Sequence, residues 1–198
     1  MKKINLFLFA ILFLLCGCSG KDIIRLSSNT TIDLSGRWND TDSQQVSQAV
    51  IEHMLASDWY EIFKHKYSRE PVVITGKVHN KSYEHIDVET FVKDLERAMI
   101  NSGKIDLVAS KAEREEVRQE RSEMQKWASV KTRKEPGEET GADYMLKGTL
   151  NSILDEEGGK KVVFYQVDLN LINLENNNII WSGQKKIKKF IKKPIFKF

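Results

Sequence analysis

Hydrophobic and polar positions change period several times along this chain, and each change marks an element. After Asp42, Val46, Ala49, Val50 and Met54 recur at helical spacing, with Asp42 expected as N-cap and Gln45 at the third helical position. Trp59, Ile62 and Phe63 either extend that apolar face or begin a second short helix. Residues 71–80, "PVVITGKVHN", are β-branched and apolar and predict a strand opened by Pro71. In "DVETFVKDLERAMINSG", Asp87 caps a helix, Val88, Phe91, Val92, Leu95 and Met99 share one face, and Gly103 closes it. "KIDLVAS" is a second strand, so 71–110 forms a β-α-β unit whose strands run parallel. Ser110 and Glu113 make a capping box for a mostly charged helix. Its sparse apolar positions, Ala112, Val117, Met124 and Trp127, predict a surface helix with a narrow buried stripe.

A polar loop, 131–141, leads into three strands with tight connections. "ADYMLKGTLNSILD" ends at "EEGGK", and "KVVFYQVDLNLINL" alternates, with Val163, Tyr165, Val167, Leu169 and Leu171 on one face. "ENNN" turns into "IIWSGQKKIKKF". The expected fold is therefore α/β: a single mixed β-sheet, a parallel β-α-β unit followed by an antiparallel three-strand meander. Helices pack on the sheet, on both faces. No internal repeat is visible.

The first residues follow a different pattern. Lys2 and Lys3 precede an apolar run from Ile4 to Leu15. Its roughly 12 residues fall short of the about 20 that span a bilayer and suit the apolar region of a secretory signal. Both cysteines, Cys16 and Cys18, close this run. A metal site, a redox pair and a processing site compete for them. Two thiols in a discarded apolar helix supply no ligand geometry. "LCGC" resembles the bacterial lipobox, which implies cleavage after Gly17 and lipidation of Cys18. The expected organisation is a signal peptide over 1–17, a lipidated terminus and short tether over 18–30, and a periplasmic domain over 31–198 with a lysine-rich tail. By resemblance to enterobacterial sorting, Ser19 directs the chain to the outer membrane.

Composition narrows the function. The chain is 40% hydrophobic and 30% charged, with a net charge of +3. Loss of Lys2 and Lys3 leaves about +1, which argues against bulk nucleic-acid binding. Beyond Cys18 no thiol remains, so the core alone must hold the domain. No H-E-x-x-H, G-x-S-x-G, Walker A or G-x-G-x-x-G motif accompanies His53, His65, His79 and His85. "DEEGGKK" lies between strands and is a hairpin turn rather than a phosphate loop. Glu84, His85 and Asp87 form the best polar cluster, either a cation or acid–base site or a solvated loop leading to an N-cap. Asp168, Asn170 and Asn173 are spread along one strand and make no dyad. Seven lysines between Lys185 and Lys197 either grip an anionic polymer or defend an edge strand against pairing.

Five segments carry a resemblance: "SGRWNDTDS", "REPVVITGKVHNKSYEHIDVETFVKDLERAMINSGKIDLVAS", "REEVRQERSEMQKWAS", "GADYMLKGTLNSI" and "VVFYQVDLNLIN" with "IIWSGQKKIKKFIKK". Together they resemble the penicillin-binding protein activator LpoB family, related to the TolB amino-terminal domain and to CsgG-like lipoproteins. The resemblance implies a non-enzymatic, monomeric outer-membrane lipoprotein without cofactor or metal. It would bind a class A penicillin-binding protein and stimulate glycan polymerisation and cross-linking; a CsgG-like structural or assembly lipoprotein is the alternative. It transfers no partner-binding residue to a single position. The tether departs from the family's long Pro-rich form: about a dozen residues reach at most about 40 Å, and roughly 20 Å on average.

Overall fold

The computed structural model describes residues 23–27 and 30–192. Cys16, Cys18 and the tail from 193 onward lie outside them. In chain order the elements are α1 (Asp40–Leu55), α2 (Asp58–Tyr67), β1 (Val72–Asn80), α3 (Val88–Ser102), β2 (Asp106–Val108), α4 (Lys111–Trp127), β3 (Tyr144–Glu157), β4 (Lys160–Asn173) and β5 (Ile179–Lys192). The strands form one sheet in the order β2-β1-β3-β4-β5. β1 pairs in parallel with β2 and β3, and β3, β4 and β5 pair antiparallel. This is the α/β mixed sheet that the periodicity predicts.

The alternation in β4 sets the core. Val163, Tyr165, Val167, Leu169 and Leu171 are all fully buried. They meet Val46, Val50 and Met54 of α1, Trp59 and Phe63 of α2, and Phe91, Leu95 and Met99 of α3 in one cluster. α4 contributes no buried residue: Val117 is 46% and Trp127 84% exposed. The expected stripe on that helix is absent, and the single buried core lies on one face of the sheet rather than two. α4 is rich in charge: it opens on the Ser110–Glu113 capping box, Glu113 pairs with Lys93 of α3, and Arg118 pairs with Glu115 and Glu139. The Ser110 hydroxyl, then Lys93, bring the Glu113 carboxyl down to about 2.

One helix start and one buried helix face differ from expectation. Asn39, not Asp42, caps α1; Asp42 sits at the third helical position and closes a reciprocal box with Asn39, both bonds at 3.0 Å. Residues 58–67 do form a separate helix, but Tyr60 replaces Ile62 on its buried face, and Ile62 is 65% exposed. The cap at Asp87, the end at Gly103 and the Ser110–Glu113 box stand where the sequence puts them. So does the "EEGG" hairpin: Gly158 and Gly159 take φ of +56° and +75°, which a two-residue primed turn requires. Asp143 fixes the start of β3 by accepting from the Val72 N–H at 2.8 Å and from both terminal nitrogens of Arg69. Burial works to raise its pKa, but these donors win and hold it below the usual carboxylate value.

Candidate functional site: a braced cleft and a clamped edge strand

Glu84, His85 and Asp87 do come together, in a cleft of roughly 280 Å³ that Arg37, Trp38, Asp40 and Thr90 also line. Their roles are divided. Glu84 Oε1 accepts from the Tyr165 hydroxyl at 2.8 Å, and Oε2 accepts from the Trp38 N–H at 3.2 Å. Burial, then the Glu84 carboxylate, pushes the Tyr165 phenol far up, so it stays a neutral donor. Trp38 stacks edge-on against Tyr165 and Phe91, with centroids 5.5 and 6.0 Å away. Glu84 therefore braces the segment before α1 against the central sheet. Asp87 accepts from the Glu89 N–H at 2.9 Å and serves as the cap of α3. His85 is exposed. Of the two readings of this cluster, the structural one describes its hydrogen bonds.

This brace gives a direct test. Glu84→Gln places an amide NH₂ where one of two donors must be accepted, and it should cost about 1–3 kcal/mol. Tyr165→Phe removes one donor and should cost about 1 kcal/mol. Urea unfolding of both variants measures these losses.

β5 is an edge of the sheet and carries five lysines: Lys185, Lys186, Lys188, Lys189 and Lys192. Four of them are exposed, as an edge-defending row would be. Lys189 is not. Its side chain is 12% exposed and its Nζ donates to Asp42 Oδ2 at 2.6 Å, Asp33 Oδ1 at 2.7 Å and the Arg37 carbonyl at 3.1 Å. Asp42 is itself 8% exposed and also accepts the Asn39 N–H. One lysine thus clamps the incoming chain at Asp33 and the cap of α1 to the edge strand. Beside it, a Cβ on Gly36 (φ +68°) would fall 2.3 Å from Ile191 Cδ1, so glycine permits this close crossing.

The remaining candidates separate. Asn173 accepts from the Glu175 and Asn176 N–H groups and shapes the β4–β5 turn. Asp168 accepts from Gln166 and Asn151 on the second face of the sheet. No hydrogen bond joins Asp168, Asn170 and Asn173 to one another. Among the described residues no group of His, Cys, Asp and Glu could hold a metal ion, and no helix is long and apolar enough to cross a membrane. The Lys189 clamp was not legible in sequence, where Lys189 is one of seven similar lysines. A lysine at an inward position of the β5 alternation was the available signal.

The peptidoglycan-synthase activator LpoB family matches residues 42–187. No curated protein matches the chain. Among solved structures, the LpoB C-terminal domain from Salmonella enterica is similar at 20% identity, over 77% of this chain and 99% of that one, with a TM-score of 0.40. The corresponding domain from Escherichia coli gives 18%, 75%, 99% and 0.42. Lipoprotein GNA1162 from Neisseria meningitidis gives 13%, 61%, 83% and 0.38. The family match takes in α1 through most of β5, the whole of the sheet-and-helix core. On that extent, the chain belongs to the LpoB family of peptidoglycan-synthase activators.

Proposed function

We propose that this chain is lipidated at Cys18, is held on the periplasmic face of the outer membrane, and activates a class A penicillin-binding protein by binding it. The observation that carries this reading is the family match across residues 42–187. The lipobox-like "LCGC" supports the anchor. The commitment of Glu84 and Asp87 to bracing and capping supports a role in binding rather than catalysis. The domain acts by preferring the active conformation of the synthase over its resting one. Tenfold activation requires about 1.4 kcal/mol of differential binding.

Adding the purified mature lipoprotein to a class A synthase from the same cell should raise its glycan polymerisation rate. An unchanged rate, with no co-purification of any such synthase, would defeat the reading. In cells, Cys18→Ala should leave the signal uncleaved and the amino terminus without acyl chains, as intact mass measures directly. An acylated C18A protein would overturn the assignment of Cys18.

A further inference from the structure

The charge of this chain is segregated. Residues 185–198 hold seven lysines and no acid, so with +3 overall the other 184 residues carry −4. Within β5, Lys185, Lys186, Lys188 and Lys192 are exposed, and Phe190 among them is 64% exposed. None of the four forms an ion pair among the described residues. The fifth lysine, Lys189, fastens Asp33, so the point from which the chain leads back to Cys18 is held at this same strand. Fourteen residues separate Cys18 from Asp33, a reach of at most about 50 Å and roughly 20 Å on average.

We propose that the β5 edge is a membrane-facing surface, with its lysines on anionic lipid headgroups and Phe190 at the headgroup boundary. The inference rests on the lipidation of Cys18. A domain held that close by a tether leaving at β5 presents this strand to the bilayer before any other element. A row of lysines gains most at an anionic surface and little at a neutral one. A glycan strand would meet the same charge, but nothing in the tether geometry brings it to β5. The sheet order then points β2 and β1, the opposite edge, away from the membrane.

The test uses the mature lipoprotein reconstituted into two kinds of vesicle, phosphatidylcholine alone and phosphatidylcholine with phosphatidylglycerol. Flotation reads the anchor. Amine-reactive labelling followed by mass spectrometry reads the face, with exposed Lys131 and Lys134 as internal references. Labelling of Lys186, Lys188 and Lys192 should fall at least about threefold on anionic vesicles relative to neutral ones, and recover in about 1 M salt. Replacing Lys185, Lys186, Lys188 and Lys192 by serine should leave flotation intact and lose the salt-sensitive preference, read as Phe190-proximal hydrogen exchange. Equal labelling on both vesicles, with the chain floating on both, overturns the proposal and leaves the anchor standing. Flotation on anionic vesicles alone supports the β5 surface and removes the lipid. Flotation on neither defeats both, and protection by purified peptidoglycan instead of vesicles also defeats the lipid assignment.

Discussion

Gly148→Ala should destabilise the domain by about 3 kcal/mol, the largest loss expected from adding one methyl group to this chain. Gly148 lies in β3 opposite Leu169, at a position of the alternation that faces the helices. A Cβ there would sit 2.1 Å from the Asp168 carbonyl oxygen and 2.5 Å from Leu169 Cδ2. The leucine can turn aside; the carbonyl belongs to the β3–β4 ladder and cannot move without opening it. In a domain of this size the loss should lower Tm by roughly 6–12 °C. Gly141→Ala is the control, because nothing lies within 4 Å of its Cβ position. Urea unfolding should show a lower midpoint for G148A with an unchanged slope. A midpoint equal to that of G141A would mean that β3 and β4 do not approach so closely.

Lys189→Met should cost a similar amount, about 3 kcal/mol, for an electrostatic reason. Removing one partner of a buried pair strands the other charge. Asp42 would be left 8% exposed beside Asp33, with the Asn39 N–H as its remaining donor. Lys186→Met, an exposed neighbour, should change stability by less than about 0.5 kcal/mol. The pH dependence has a defined sign. The Lys189 hydrogen bond, its own burial opposing, holds Asp33 below its ordinary 3.8, so that contribution is present above 3.8 and fades as pH falls through the lower folded value. Burial works to lower the Lys189 pKa, but Asp33 and Asp42 raise it above 10.5; its contribution is full below 10.5 and fades as pH rises through the higher folded value. The difference between wild type and K189M should therefore shrink as pH falls below 3.8 and as it rises above 10.5. A difference that changed around pH 6 or 7 would assign the clamp to other groups.

How far the sequence could be followed depends on the range of the interaction. Val163 to Leu171 and Phe91 to Met99 are legible because strand and helix periods are local properties of the chain. The Ser110–Glu113 box is legible for the same reason. Asn39 and Asp42 are three residues apart and both are cap-forming types, so local chemistry alone leaves the start of α1 displaced. Glu84 shows as one member of a polar cluster because the residue that uses it, Tyr165, is 81 positions away. Lys189 finds its carboxylates 147 and 156 positions away, in a segment that reads as the start of the domain and of its first helix. α4 departs from its pattern for another reason: its apolar residues have helical spacing, but the charged residues between them outnumber what a buried stripe can carry.

The row of cations on β5 also governs how copies of the chain meet one another. Proteins confined to a plane collide at far higher effective concentration than in bulk, and an unguarded outer strand would zip onto its twin by a two-fold axis. Such pairing would set lysine against lysine along the junction, and like charges directly opposed repel. On the anchor proposed at Cys18, crowding in two dimensions should thus leave the molecules dispersed, each free to engage a different kind of neighbour.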